Sequence, residues 1–220
     1  MAPTKIRLAV SLVLLLSAAA VVGCSPHGSG PASSASARPT GALPAGDSSA
    51  AVPAAGTCKL GTQDGQPLPD QACTPGAINP DVTQANIKDT ICKSGWTKTV
   101  RPPTSMTNKI KSEIDRAYGL STSTQGELDH EVSLELGGAP SDPRNLWVEP
   151  GKIPNPKDAV ENKLNQAVCS GLIPLAVAQE AIAGDWVSAF DDAGLRVAGA
   201  TVCLSAQPSR CSNGRHGDSD

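Results

Sequence analysis

The sequence predicts an α+β domain that is mostly helical and stapled by disulfides. Apolar residues recur at helical spacing in several segments, whereas shorter stretches alternate apolar and polar residues as strands do. Seven cysteines in 220 residues are many for a protein of a reducing compartment. The 21 glycines and 19 prolines indicate several loops or an unfolded stretch. A formal charge of −3 excludes a basic coat over the whole surface.

Residues 1–23 have the pattern of an export signal. Lys5 and Arg7 precede a nearly unbroken apolar run over 8–22, which is short for a membrane-spanning helix. The small residues before Cys24 resemble the bacterial lipobox, in which the cysteine thiol is lipidated and becomes the mature N-terminus. The alternative is an ordinary signal peptide with a chance cysteine. We expect an exported protein, lipid-anchored through Cys24 to the outer face of the bacterial cell membrane.

Without Cys24, an even number of cysteines remains. In an oxidising compartment these six residues predict three disulfides, for which 15 pairings are possible. We favour pairings that close two short local loops and tie the start of the domain to a later helix. They are Cys58–Cys73, Cys92–Cys169 and Cys203–Cys211.

Composition divides the rest of the chain. From 25 to 56, 26 of the 32 residues are Ala, Gly, Ser or Pro, so we expect a disordered tether over 24–56. A folded domain is expected over 57–211, and a disordered polar tail over 212–220. Within the domain we expect four helices and three extended segments. The helices are 81–91 with Asp81 as N-cap, one from Ser105 or Thr107 to Tyr118, 156–170 with Asn155 as N-cap, and 174–190; the extended segments are 93–101, 128–136 and 145–148.

Asp129-His130 is the most informative dipeptide, because His130 is the only histidine of the predicted domain. A lone histidine is more often structural than catalytic. Here, however, the predicted strand is followed by a turn at Gly137-Gly138, a second strand and a helix. A base and a hard cation held on such a β-turn-β-α pattern can hydrolyse a phosphodiester.

These residues carry a resemblance to a known family. The segments Glu127-Leu128-Asp129-His130, Ser133-Leu134-Glu135-Leu136-Gly137-Gly138 and Pro143-Arg144-Asn145-Leu146-Trp147 resemble the HNH nuclease motif of the His-Me finger superfamily. The chain is most similar to a group of exported bacterial HNH-type proteins, and the likeness covers about 73–190. It implies a small ββα-metal motif with its core at 127–165, embedded in the helical domain.

The resemblance implies a role for each matching residue. His130 matches the general base that takes a proton from the attacking water, a task that suits an imidazole. Asn145 matches the residue that holds the loop aiming this histidine. Asp129 matches a metal ligand.

Asn155 falls at the third motif position, where this group commonly has histidine. With oxygen ligands from Asp129 and Asn155, we expect Mg²⁺ or Mn²⁺ rather than zinc. The alternative is that Asn155 is only a helix cap and that Asp158 or Glu161 is the helix-borne ligand.

Basic residues are concentrated between 93 and 116, although a solvated face would look the same. Arg101 and Arg144 are the phosphate contacts that we expect. The substrate would be nucleic acid, either DNA or RNA, read with little sequence preference because the contacts go to phosphates. We expect a monomer, and no protein partner can be inferred.

The sequence therefore predicts an exported, lipid-anchored, metal-dependent nuclease. The alternative is a catalytically silent binding or structural lipoprotein on an HNH-like fold. Asp129-His130 and Asn145 favour the enzyme, whereas the acidic total charge and the missing third histidine favour the silent protein. A cell-wall hydrolase lacks a supporting set of residues.

Overall fold

A computed structural model describes residues 42–121 and 126–211. The predicted signal peptide over 1–23, Cys24, the tether up to residue 41 and the tail over 212–220 lie outside the described residues. Within the described ranges, no helix is long and apolar enough to span a membrane.

The described chain is α+β, as predicted, with three separate antiparallel strand pairs: β1–β2, β3–β4 and β5–β6. The strands are β1 (Gly61–Gln63), β2 (Gln66–Leu68), β3 (Gly126–His130), β4 (Leu146–Pro150), β5 (Leu195–Ala198) and β6 (Thr201–Leu204). The helices are α1 (Trp96–Val100), α2 (Thr104–Ala117), α3 (Pro156–Cys169), α4 (Leu175–Gly184) and α5 (Ala189–Asp192).

The pair β3–β4 and the helix α3 that follows it position the candidate site. In the register of this pair, Asp129 lies opposite Trp147 and His130 opposite Leu146. Helix α3 begins where predicted: the Asn155 side chain accepts from the Asp158 backbone N–H at 3.2 Å, and the Asp158 carboxylate accepts from the Asn155 backbone N–H at 3.2 Å. This reciprocal cap satisfies two N–H groups that a helix start leaves unpaired.

Two apolar clusters form the core. The larger joins α3, α4 and α5, with Leu164, Ile182 and Trp186 among its buried side chains. The smaller lies between α2 and β4 and buries Ile114 against Trp147. The strand pair is thus packed against α2 through the smaller cluster.

All three favoured disulfides are present: Cys58–Cys73, Cys92–Cys169 and Cys203–Cys211. Cys92–Cys169 spans 77 residues and joins the segment before α1 to the end of α3. A bridge of this kind typically contributes about 2–4 kcal/mol to the free energy of unfolding.

Two extended segments were predicted wrongly. Residues 96–100 form helix α1, in which the Thr99 hydroxyl donates to the Trp96 carbonyl at 2.7 Å. The ring of Trp96 packs on the larger cluster, so tertiary packing overrides the β preference of this segment. The strand predicted over 128–136 ends at His130, and Leu134–Leu136 form a 3-10 helix.

Two predicted helices are also shorter than expected. The helix over 81–91 is reduced to a 3-10 turn at Gln84–Asn86, with Thr83 rather than Asp81 as its N-cap. The helix over 174–190 divides into α4 and α5. At the break, Asp185 accepts a hydrogen bond from the Val187 backbone N–H at 2.8 Å, an alternative to the helical ladder.

Residues 42–56, part of the stretch predicted to be a tether, contact the domain. Ala45 forms a bridge with Ile78, and the Asp47 backbone N–H donates to the Asp142 carboxylate at 2.7 Å. Val52 packs on the smaller cluster. The packed part of the chain therefore begins before residue 57, with the contacts of Ala45, Asp47 and Val52.

Candidate active site

His130 is the last residue of β3, and its ring is largely buried, with 8% of the residue exposed. Its Nε2 lies 3.0 Å from the carbonyl oxygen of Pro140. His130 lines a cleft of about 420 Å³, whose other walls include Arg101, Glu127 and one face of α2. A buried histidine at the wall of a cleft is in a position to exchange a proton with a ligand there.

Side chains of β3 alternate between two faces, which separates His130 from Asp129. Leu128 and His130 line the cleft. Asp129 does not line the cleft and bonds to Lys157 at the start of α3, whereas Glu127 both lines the cleft and bonds to Asn155. The structure therefore does not bring the predicted base and its neighbouring carboxylate onto one face of the strand.

The ammonium of Lys157 connects α3 to the end of β3. It lies 2.8 Å from the Asp129 Oδ2, 2.7 Å from the His130 carbonyl oxygen and 2.5 Å from the Glu161 Oε1. The residue is completely buried. Burial lowers the pKa of Lys157, but the carboxylates of Asp129 and Glu161 outweigh it and raise that pKa above its usual value. The ammonium stays charged and fixes the end of β3.

Glu131 and Glu149 lie in the same region and are almost fully buried. Among the described residues, the oxygens of both carboxyl groups have no hydrogen-bond partner. Burial raises the pKa of Glu131 well above its usual value and that of Glu149 to about 8. Burial likewise raises the pKa of Glu161 to about 8 despite its bond to Lys157. The carboxyl groups in this region outnumber the single ammonium. Protonation of some of them removes negative charge and so reduces the repulsion among them.

Asn145 holds the loop between β3 and β4. Its completely buried amide donates to the carbonyls of Val132 and Ala139, both at 3.0 Å, and accepts from the Val132 and Ala77 backbone N–H groups at 2.9 and 3.3 Å. Gly138 completes this turn, because a Cβ there would overlap the Val132 carbonyl. The sequence predicts that Asn145 holds the loop that aims His130, and its amide here joins Val132 to Ala139 at the two ends of the turn before Pro140.

The predicted metal ligands are engaged by other protein groups. Asn155 caps α3 and donates its amide to the Glu127 Oε1 at 2.6 Å, while Asp129 and Glu161 bind Lys157. Asp158 forms the other half of the α3 cap. Over residues 42–121 and 126–211, no group of three or more His, Cys, Asp or Glu is arranged to hold a metal ion. In this arrangement the side chains of the predicted ligands bond to protein groups.

The two predicted phosphate contacts have different surroundings. The Arg144 guanidinium lies 2.6 Å from the Asp142 carboxylate and donates to the Ala45 carbonyl at 3.1 Å. Arg101 is exposed at the cleft that His130 lines.

Burial lowers the pKa of His130, and the charge of Arg101 lowers it further against the opposing effect of Asp129. The imidazole is therefore neutral at neutral pH.

Sequence reasoning overlooked Lys157, Glu131 and Glu149. One available signal was the acidic residue at every second position along β3 and just past its end: Glu127, Asp129 and Glu131. Three acids at this spacing need cations or protons near them. Nothing in the local sequence marks Lys157 as their partner.

Comparison of the chain with models of protein families, with curated proteins and with solved structures finds no match.

Proposed function

We propose that this protein is an exported nuclease that hydrolyses phosphodiester bonds of DNA or RNA with His130 as general base. The observation that carries the proposal is the hydrogen bond between His130 Nε2 and the Pro140 carbonyl, made at the wall of a cleft. The strand pair β3–β4 followed by α3 supports a ββα arrangement around this histidine.

That hydrogen bond selects a tautomer. A carbonyl oxygen only accepts, so Nε2 carries the proton and donates it to Pro140. In the neutral ring Nδ1 then has a free lone pair, and among the described residues it has no hydrogen-bond partner. Since burial lowers the pKa of the ring, this lone pair is available at neutral pH.

The reaction that follows is hydrolysis. His130 Nδ1 takes a proton from a water molecule as its oxygen bonds to phosphorus. The P–O bond to one sugar oxygen breaks, and that oxygen takes a proton from solvent. The products are an alcohol and a phosphate monoester, and His130 returns its proton to solvent. A positioned base of this kind typically contributes 10²–10⁴-fold to the rate.

Export is supported by the three disulfides, which are usual outside the reducing cytosol. We propose anchoring through a lipid on Cys24 on the strength of the N-terminal sequence pattern. A single acyl chain holds a protein only marginally, so multiple acylation of that cysteine is expected.

A requirement for Mg²⁺ or Mn²⁺ stays a prediction, because Asp129 and Asn155 are bound to other residues in the structure. We assign no step of the reaction to a cation. The same engagement of both residues favours the second candidate function, a nucleic-acid-binding or structural lipoprotein without turnover.

The test uses the full chain, oxidised and purified in detergent. It is incubated with plasmid DNA and with RNA, in Mg²⁺, in Mn²⁺ and in EDTA. Nicked plasmid or shortened RNA supports the nuclease, and loss of cleavage in EDTA supports the cation requirement. Intact substrates under all conditions, together with retained binding, would establish the second candidate function.

A further inference from the structure

The wall of the cleft that includes α2 is polar. Thr104, Thr107, Asn108 and Lys111 all line the cleft, and their spacing of three, four and seven residues places them on one face of α2. Thr104, Asn108 and Lys111 offer a hydroxyl, an amide and an ammonium as hydrogen-bond donors, whereas the Thr107 hydroxyl donates to the Thr104 carbonyl at 3.1 Å. No carboxylate is among these four positions.

Two cations belong to this wall. The Lys111 ammonium lies 3.1 Å from the Asp115 Oδ2, one turn further along α2, and the lysine is partly exposed. Arg101 precedes the helix, and its guanidinium makes no hydrogen bond or ion pair with the described residues. An exposed, unpaired guanidinium presents two parallel N–H groups that match phosphate oxygens.

The lining of the cleft also includes groups of different chemistry. It includes the carboxyl group of Glu127 and the apolar side chain of Ile153, which is 68% exposed. Ile153 is one of the few large hydrophobic residues that the described chain leaves in solvent. The lining of the cleft therefore combines cations and hydrogen-bond donors with one carboxyl group and an apolar contact, and His130 is part of it.

We propose that the α2 wall, formed by Arg101, Thr104, Asn108 and Lys111, binds the phosphodiester backbone of one nucleic-acid strand on either side of the phosphorus that the water activated by His130 attacks. Ile153 contacts a sugar or base of the same strand. The inference rests on the proposed function and names how that site holds its substrate.

Two expectations about the ligand follow from the size and the chemistry of the cleft. A volume of about 420 Å³ is that of a small-ligand pocket, so it receives a nucleotide-sized piece of one strand. Contacts to phosphates position a strand but carry no sequence information. We expect unpaired strands to bind more tightly than duplexes, with no preference among sequences.

The experiment measures binding separately from cleavage. The full chain carrying His130→Gln, in detergent, is titrated into fluorescently labelled 12-residue DNA strands, single and duplex, from low to moderate salt. A second protein carries Arg101→Met and Lys111→Met in addition to His130→Gln. The matched control is Lys98→Met with Lys109→Met, which removes two charges from the same region without touching residues that line the cleft.

Removing the charges of Arg101 and Lys111 should weaken binding to single strands by about tenfold, uniformly across sequences. The slope of the logarithm of the binding constant against the logarithm of the salt concentration should become shallower by about 1.4. The control pair should change the affinity much less. An equal loss in both pairs, or no loss in either, would overturn the inference.

Further substitutions test the α2 face itself. Asn108→Ala, which removes a donor but no charge, should weaken binding at high salt as well as at low salt. If wild type cleaves nucleic acid and loses cleavage on His130→Gln while the α2 variants behave as wild type, the inference fails and the proposed function stands. If strands bind through this wall but wild type cleaves nothing, the proposed reaction fails instead.

Discussion

The ammonium of Lys157 lies 2.8 Å from the Asp129 carboxylate, and Lys157 is fully withdrawn from solvent. The same ammonium bonds to the carbonyl oxygen of His130. Helix α3 thus fixes the end of β3 through one side chain, and the position of the proposed base depends on it.

Lys157→Met should lower the free energy of unfolding by about 3–5 kcal/mol, because it leaves the partly buried Asp129 and the buried Glu161 without their cation. Urea unfolding of the oxidised protein measures the change. Lys152→Met, at an exposed position, is the matched control and should be nearly neutral. A Lys157→Met protein as stable as the control would show that the acids around it do not need the ammonium.

The protein should lose stability as pH rises. The pKa values of Glu149 and Glu161 are raised to about 8 in the folded protein, above the usual value of 4.5 in the unfolded chain. The folded state therefore binds more protons than the unfolded state between these values. Stability supplied by these groups is fully present below pH 4.5 and is lost as pH rises through about 8.

Thermal unfolding at intervals from pH 5 to pH 9 measures this effect, and the midpoint should fall from pH 5 to about pH 8 and level off above that pH. Glu149→Gln should flatten the dependence, whereas the exposed Glu180→Gln should leave it unchanged. A midpoint that rises from pH 6 to pH 9 would contradict the raised pKa values.

Asn145→Ala should destabilise the loop between β3 and β4. It leaves the Val132 and Ala139 carbonyls unpaired in the core, at a cost of about 2–4 kcal/mol. Chemical denaturation gives the loss in stability, and Asn162→Ala, on the exposed surface of α3, is the control. Equal stability of the two variants would remove Asn145 from the role of loop holder.

Asp142→Ala should release the segment that precedes the domain. Asp142 is buried and accepts from Asp47 and from Arg144, which in turn binds Ala45. Burial raises the pKa of Asp142, but these hydrogen bonds lower it by more, so the carboxylate is charged. Limited proteolysis should cut residues 44–56 faster in this variant than in the exposed control Asp191→Ala. Equal cutting rates would mean that the carboxylate does not hold the segment.

Helix α3 could be predicted from sequence because its signals are local. Asn155, Pro156 and Gly171 lie next to the helix they delimit. The hairpin β1–β2 also had a local signal, Asp64-Gly65, in which both residues have positive φ, and it was overlooked.

Other features depend on distant contacts. The end of β3 at His130 is set by Asn145, and the burial of Lys157 is set by the acids of β3 and β4. Whether Asp129 faces a metal ion or the ammonium of Lys157 follows from that packing. The order of residues along the chain does not show it. The role predicted for His130 depends on the sequence of β3 alone. The separation of the His130 side chain from Asp129 became clear only from the register of β3 with β4.

The central claim is that His130 accepts a proton during cleavage, and His130→Gln tests it most directly. Glutamine can still donate to the Pro140 carbonyl but has no basic nitrogen. The plasmid nicking rate and the thermal midpoint are measured for wild type, His130→Gln and His216→Gln, the last a histidine of the predicted tail. We predict a rate loss of about 10²–10⁴-fold for His130→Gln alone, with a midpoint close to that of wild type. Wild-type nicking by His130→Gln would contradict the claim.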